Sequence, residues 1–534
     1  MKKYLYTLAF FLLSHAVKAQ LYVESGATLF LETGSVVTVQ GDLTSNADIQ
    51  GPGKIVMKGT AAQNINTNGK IIPNLEIDNT NNVTLTGAVK VSTTLTFTNG
   101  KLQLGNNNFT LASAATVTGA GAGKFAATTG TGLLVKEITA AGTYVLPVGA
   151  GANYTPLQYN LAGSPTLSSA TLGVRAVDGA HPNKPIRAED YLKSYWKTSI
   201  TGVTGGTLNA TATYVDAGSI TGSETLLNAL RYNGTDWSLT NNTIDRTANT
   251  ATFNTVGNNA DLYVMDKFVL VKAKAFLQGA YNSGTGLMSD ALRTPTNLIP
   301  LSDPYRSAPY NTVFTHVNNT VTETAASSVF ETNATAGDNI VDWVFLELRN
   351  TNASPGNSVL ATRSALLQRD GDIVDVDGVS PVFFKNFDAT NFTVAVRHRN
   401  HLGIAADRAT YAKTLSVANP SAANTFDFTV ATDAQIYGTN TAYSVVNAKN
   451  ILWAGNANFN AQSRYTGPAN DRDYILSAIL GSSQGAVLNN TYSAGDLNFN
   501  RAVRYTGPGN DRDYLLATIL GGVFGQVRSQ SLPN

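Results

Sequence analysis

The chain of 534 residues contains no cysteine. Disulfides, thiolate metal centres and cysteine nucleophiles are therefore excluded. Charge is scarce: Asp, Glu, Lys and Arg make up 14%, with a net charge of +1. No basic stripe points to nucleic acid, and no charged tail points to an acidic or basic partner. His-Glu-x-x-His, Gly-x-Ser-x-Gly and the phosphate-binding P-loop are all missing, so the commonest zinc-hydrolase, serine-hydrolase and nucleotide signatures are absent. Beyond the first twenty residues no apolar run is long enough to cross a bilayer as a helix. What is present is 43% apolar residues, 47 glycines, and an abundance of Thr, Asn, Ala and Val over Lys and Glu. That balance favours strands and turns over helices. The length implies three or four domains.

The first residues, MKKYLYTLAFFLLSHAVKAQ, combine two lysines, an apolar run from Tyr4 to Leu13, and Val17-Lys18-Ala19 ahead of Gln20. This is the pattern of a secretory signal at 1–19, cleaved after Ala19, and it predicts a secreted or cell-surface protein. From 20 to 125, short runs such as NVTLTGAVKVSTTLTFTNGKLQL alternate apolar with Thr, Ser or Lys, punctuated by Asn and Gly. Period two means half-buried strands. Their even spacing predicts β-solenoid-like repeats; a sandwich of hairpins is the alternative, since Asn99-Gly100 is also a hairpin turn. From 126 to 271, strands recur about every ten residues, which predicts a β-sandwich-like domain with Trp196 and Trp237 in or near its core. A second β-sandwich-like domain is expected over 272–446. In its IVDWVFLEL both faces are apolar, so this strand is central. The fold class is mainly β, with helix expected only in the tandem repeat at 447–534.

Two clusters invite metal readings. His398 and His401 are three apart, and on a strand they would face opposite ways, leaving a hydrogen-bonded strand end beside a turn. Asp370, Asp372, Asp375 and Asp377 would suit a calcium loop, but Ile373-Val374 interrupts them, and two Asp-Gly turns around a short strand explain them with less.

The strongest signal is a duplication. NAQSRYTGPANDRDYILSAIL returns forty residues later as NRAVRYTGPGNDRDYLLATIL. The copies open with Asn456, Asn458, Asn460 and with Asp496, Asn498, Asn500, oxygen-bearing side chains at the first, third and fifth positions of a Ca²⁺ loop. Asp471 and Asp473, and Asp511 and Asp513, close the inserted stretch RYTGPANDRD or RYTGPGNDRD and open a helix. Asn510 or Asp511 can cap that helix, and Gly481 and Gly521 stop each copy. Ile475, Leu476 and Ile479 match Leu515, Leu516 and Ile519, apolar stripes that one copy cannot bury alone but two can bury against each other. Calcium in at least one loop, with the second copy favoured by its extra carboxylate, stands beside a metal-free helical hairpin closed by side-chain hydrogen bonds.

This ending resembles the duplicated dockerin-like calcium modules of secreted bacterial proteins, in the form common in the Bacteroidetes. With FLQGAY, LMSDALR, LIPLSDPY, ALLQRDGDIVDVDG and VRHRNHLG, most of the chain resembles the large haemagglutinin- or adhesin-like proteins of that group. The resemblance implies a non-enzymatic surface or matrix protein that binds a glycan or another extracellular protein. The alternative is a secreted glycoside hydrolase or lyase carrying the module as an appendage, which would need a carboxylate pair in a cleft. Two departures stand out: Asn460 and Asn500 replace carboxylates, and Ala461 and Arg501 replace the glycine after them.

Overall fold

The computed structural model describes residues 20–216, 218–239, 242–351, 359–385, 387, 391–414, 425–438 and 442–533. The leader expected at 1–19 lies outside them. Strand dominates. The chain forms two compact units, 1–235 with 241–265, and 236–240 with 266–534. Four folded segments were expected, but the boundaries near 126 and 447 each fall inside one unit.

In the first unit, Leu21–Val23, Leu43–Ser45, Gln63–Asn66, Val83–Leu85, Leu102–Gln103, Ala126–Ala127 and Val148–Ala150 pair in parallel, each on the next. Val36–Val39, Lys54–Met57, Ile71–Asp78 and Val89–Asn99 do the same on a second face. This is a β-solenoid of about six turns, and parallel pairing rules out the hairpin reading. Register explains the period-two pattern: Ile55, Leu75 and Leu95 stand opposite one another and are fully buried. Asn99-Gly100 is a corner between coils. Gly100 has φ +77°, and a Cβ there would lie 1.8 Å from the Asn79 carbonyl oxygen, so both backbone and space demand glycine.

The amide-rich composition has a structural use. Buried Gln63 donates from Nε2 to the Val39 carbonyl at 2.9 Å, and Asn79 Nδ2 donates to Gln63 Oε1 at 2.8 Å. Such side chains satisfy carbonyls that the coil corners would otherwise leave buried and unpaired. Lys136, 8% exposed, donates from Nζ to the carbonyls of Ala112, Ser113 and Ala115 at 2.7, 2.9 and 2.6 Å.

At Leu134–Glu137 the pairing turns antiparallel, onto Thr166–Asp178 and then Ser194–Thr204. A five-stranded antiparallel sheet from Gly142–Leu146 to Thr250–Phe253 faces it. The Tyr159 hydroxyl donates to the Gly173 carbonyl across the layers at 2.8 Å, and Trp196 Nε1 donates to the Thr155 carbonyl at 2.9 Å. The sandwich thus grows out of the solenoid sheet, which continues past the last coil instead of ending there in an open edge. Trp196 and Trp237 are both buried.

In the second unit, Ile340–Asn350 pairs with Val359–Gln368 and Asn391–Arg397 and is buried on both faces up to Arg349. Phe268–Lys274, Asp372–Val374, Val382–Lys385, Ile404–Ala405, Lys413–Thr414 and Thr425–Asp427 complete the sheet. The opposing layer is irregular chain rich in proline, which cannot donate to a ladder. Its Tyr305 and Phe314 pack on Phe345, with ring centroids 5.6 and 5.4 Å away. Ala494 and Phe499 of the repeats belong to this same core.

Candidate functional site

The two repeats are near-identical in structure as well as sequence. Each helix opens with an asparagine whose Oδ1 accepts from the aspartate three residues on: Asn470 from the Asp473 amide at 2.9 Å, Asn510 from the Asp513 amide at 2.8 Å. Each ends in a wide turn, with Leu480 N donating to Ile475 O at 3.0 Å and Leu520 N to Leu515 O at 3.1 Å. Gly481 and Gly521 follow at φ +62° and +63°. Ile475, Leu515 and Ile519 are buried in one shared core with Leu497 and Val503, while Leu476, Ile479 and Leu516 pack at its margin. One copy's stripe is buried by the other, as the duplication implied.

The loops bring together some of the expected ligand residues. Asp496 Oδ1 accepts from the Asn500 amide and Oδ2 from the Arg501 amide, both at 3.0 Å. Asp511 Oδ1 accepts from the Leu497 amide at 2.8 Å and Oδ2 from the Arg504 amide at 3.0 Å. Both carboxyls are buried. Burial pushes Asp496 up to about 6, against the Arg399 charge and these donors. Burial, with the charge of Asp496 adding, also pushes Asp511 well above the ordinary range. In the first copy Asn456 replaces Asp496, and its buried Oδ1 has no hydrogen-bond partner. Asp471 accepts from the Ala457, Asn458 and Arg464 amides, yet burial pushes it up to about 8.

Asn498 and Asn500 both donate from Nδ2 to the Gly509 carbonyl at 3.0 Å, and Asn458 and Asn460 donate to the Ala469 carbonyl at 2.6 and 2.8 Å. A carboxylate could not make these bonds. They account for asparagine at the third and fifth positions: the loop closes on its own amides. Asp473 and Asp513 do not join the loops. They lie more than half exposed on Arg472 and Arg512, each at 2.8 Å. The second copy sets two interacting buried carboxyls, Asp496 and Asp511, beside a loop closed on the Gly509 carbonyl. The first copy offers one carboxylate.

The residues in the glycine position have φ of +67° at Ala461 and +69° at Arg501. Arg501 compensates through its side chain, which donates from Nη1 to the Ala291 carbonyl at 2.8 Å and to the Thr294 carbonyl. Phe499, one turn of loop earlier, stacks on His398 at 6.0 Å and under the Arg399 guanidinium at 5.1 Å. Phe459 meets Tyr310 at 5.4 Å. The repeats are thereby docked on the sheet.

The docking centre is polar. Asp342 Oδ2 accepts from His398 Nε2 at 3.1 Å and Arg399 Nε at 2.9 Å, and its Oδ1 accepts from the Tyr492 hydroxyl at 2.6 Å. Arg399 also donates to the Ser493 carbonyl, and Asn400 Nδ2 donates to the Asp496 carbonyl at 2.8 Å. Burial alone would raise Asp342, but Arg399 and these donors outweigh it and hold the carboxyl at about 2. The strand ends at Arg397, so His398 and His401 are not held to strand alternation. Their Nδ1 atoms are 3.0 Å apart, correcting the expectation of opposite faces. His401 Nε2 accepts from the Gly279 amide at 3.2 Å. That fixes its proton on Nδ1, whereas His398 carries its proton on Nε2 toward Asp342. Both rings are committed to the hydrogen-bonded chain end. Asp370 and Asp377 accept from amides two or three residues ahead, the two turns expected there.

Beside the dock lies a cavity of about 500 Å³, walled by Tyr310, Tyr474 and Tyr492, with Ser302, Ser307 and Ser493 among its lining. Sequence reasoning did not find it. Its walls come from positions more than 180 residues apart, and no local pattern marks them.

The chain matches no protein-family model, and neither the search of curated proteins nor that of solved structures gives a match.

Proposed function

We propose that this is an exported, non-enzymatic binding protein of adhesin type, and that it takes a surface glycan in the tyrosine-walled cavity. The observation that carries the reading is the composition of that cavity: three tyrosine rings and three serines around about 500 Å³. A sugar ring presents an apolar C–H face and a rim of hydroxyls. Aromatic faces and a few placed polar groups suit that ligand. The leader-like first residues and the low charge agree with an extracellular role. In this reading Ca²⁺ is held by Asp496 and Asp511 of the second repeat, where it neutralises two buried carboxyls and stiffens a wall of the cavity.

The test is a glycan array probed with the full mature chain, followed by calorimetry on any hit with Tyr474→Ala. Tyr474 is partly exposed and packs at the margin of the repeats' core, so a melt of the variant accompanies the titration. Loss of binding by about tenfold or more supports the reading. No glycan bound, or binding indifferent to Tyr474→Ala, refutes it. Turnover of a bound polysaccharide would replace it with the hydrolase or lyase alternative.

A further inference from the structure

The geometry points to a closed binding site for one divalent transition-metal ion at Asp303, His316 and Glu323, in the irregular layer that covers the second unit's sheet. One oxygen or nitrogen from each lies within 4.8 Å of the others. Two features separate this group from an ordinary acidic cluster.

The first is that each carboxylate has one oxygen engaged and one left over. Asp303 Oδ1 accepts from the Tyr305 amide at 2.8 Å, and Glu323 Oε1 accepts from Asn319 Nδ2 at 2.6 Å. Asp303 Oδ2 and Glu323 Oε2 make no hydrogen bond, and neither does either ring nitrogen of His316. The two acidic side chains are 0% and 1% exposed, and His316 is 10%. Buried polar atoms of native proteins are seldom left this way, and four in one place point to a partner. Holding one carboxylate oxygen by hydrogen bond while the other ligates is how outer-shell contacts orient metal ligands.

The second is spacing. Asp303 Oδ2 and His316 Nε2 are 3.3 Å apart. Bonds of about 2.0 Å in a tetrahedron put neighbouring ligands about 3.3 Å apart. The His316 ring is held edge-on to Phe345, centroids 5.0 Å apart, which keeps Nε2 aimed at the acids.

The surrounding charges leave room for a cation. Arg306 Nε is 3.3 Å from Asp303 Oδ2, and its Nη2 is 3.6 Å from Glu323 Oε2. That Nη2 is committed to the carbonyls of Asn319 and Val321 at 2.9 and 2.8 Å. Arg363 lies between Glu323 and Asp375, at 3.2 and 3.7 Å. Three carboxylates face two guanidiniums, and the excess is negative. One imidazole and two carboxylates suit Zn²⁺, Mn²⁺ or Fe²⁺ better than Ca²⁺, which takes oxygen alone. Burial assigns the ion a structural role, pinning the proline-rich layer to the sheet. The proposal stands apart from the glycan reading and survives its failure.

The test uses the full mature chain stripped with EDTA and titrated with Co²⁺. One equivalent should bind with the intense visible absorption of a four-coordinate ion. Zn²⁺ should displace it, and millimolar Ca²⁺ should not. His316→Asn and Glu323→Gln should each weaken binding by at least about tenfold, while Asp496→Asn should leave it unchanged. A second measurement needs no variant: histidine side-chain ¹⁵N NMR should show one Nε2, of the four histidines that follow the leader, moving on Zn²⁺ addition. No saturable uptake by the stripped wild-type chain, or no histidine nitrogen shifting, overturns the proposal. So does unchanged uptake by folded His316→Asn.

Discussion

Replacing Arg399 by methionine tests whether the repeats are welded to the sheet. Arg399 and Asp342 are both 0% exposed, and the Nε–Oδ2 distance is 2.9 Å. Methionine fills most of the volume but leaves the Asp342 carboxylate with His398, Tyr492 and the Trp343 amide as donors and no full charge to balance it. Removing one partner of a buried pair costs about 3–5 kcal/mol, because the remaining charge is uncompensated. The same substitution removes the cation stacked on Tyr492 and Phe499 at 4.5 and 5.1 Å, and the bond to Ser493. Amide exchange read by mass spectrometry on Ile340–Asn350 and on 490–520 should therefore speed up in both segments together, by about two to four powers of ten. The double variant Asp342→Leu with Arg399→Met should lose less than the sum of the single losses, since neither charge is left alone. Unchanged exchange in 340–350, or a loss confined to the repeats, would refute the weld and restore the repeats as an independent appendage.

Asn500→Asp should weaken the metal-free second loop by about 1 kcal/mol, through loss of the bond to Gly509, and should tighten Ca²⁺ binding by adding a carboxylate; thermal melts with and without Ca²⁺ check both signs. Lys136→Met should cost the solenoid about 2 kcal/mol by orphaning the Ser113 and Ala115 carbonyls, read from denaturant melts of the full chain. Asp496, at about 6 folded against about 3.9 unfolded, contributes stability that is complete below about pH 3.9 and is lost as pH rises through 6, about 3 kcal/mol in all. Asp342, held at about 2, works in the opposite window: its stability is present above about pH 4 and is lost as pH falls through 2. Saturating Ca²⁺ should remove the loss between pH 4 and 7; identical melting profiles with and without Ca²⁺ would sink the calcium reading.

Much of the fold is legible in short windows. Period-two alternation with Asn and Gly corners marks the coils, because each coil is built from local strands and its corners need amides and positive φ. Ile340–Asn350 reads as buried on both faces from its residues alone. The duplicated ending declares that two stripes pack on each other. Other features have no local mark. His398 and His401 read as opposed because the alternation of TVAVRHRN carries the strand to Asn400, and the structure ends it at Arg397. Asparagine at 498 and 500 reads as a weakened calcium ligand, but its use is as a donor to Gly509, a bond visible only once the loop is closed. Arg501 reads as a defect in a glycine position; its side chain grips a segment 207 residues away in sequence.

Sequence by itself determined the strand-rich class, the solenoid period, the absence of thiol chemistry and the pairing of the repeats, since these depend on composition and on residues within one or two coils of each other. Tertiary structure alone decided that the sandwich continues the solenoid sheet, that the repeats are fused to the second unit, and which side chains converge. Asp342 and Tyr492 are 150 residues apart, and Asp303 and Glu323 are separated by irregular chain. Their meeting depends on how apolar faces find burial across the whole unit, and no periodicity along the chain records that.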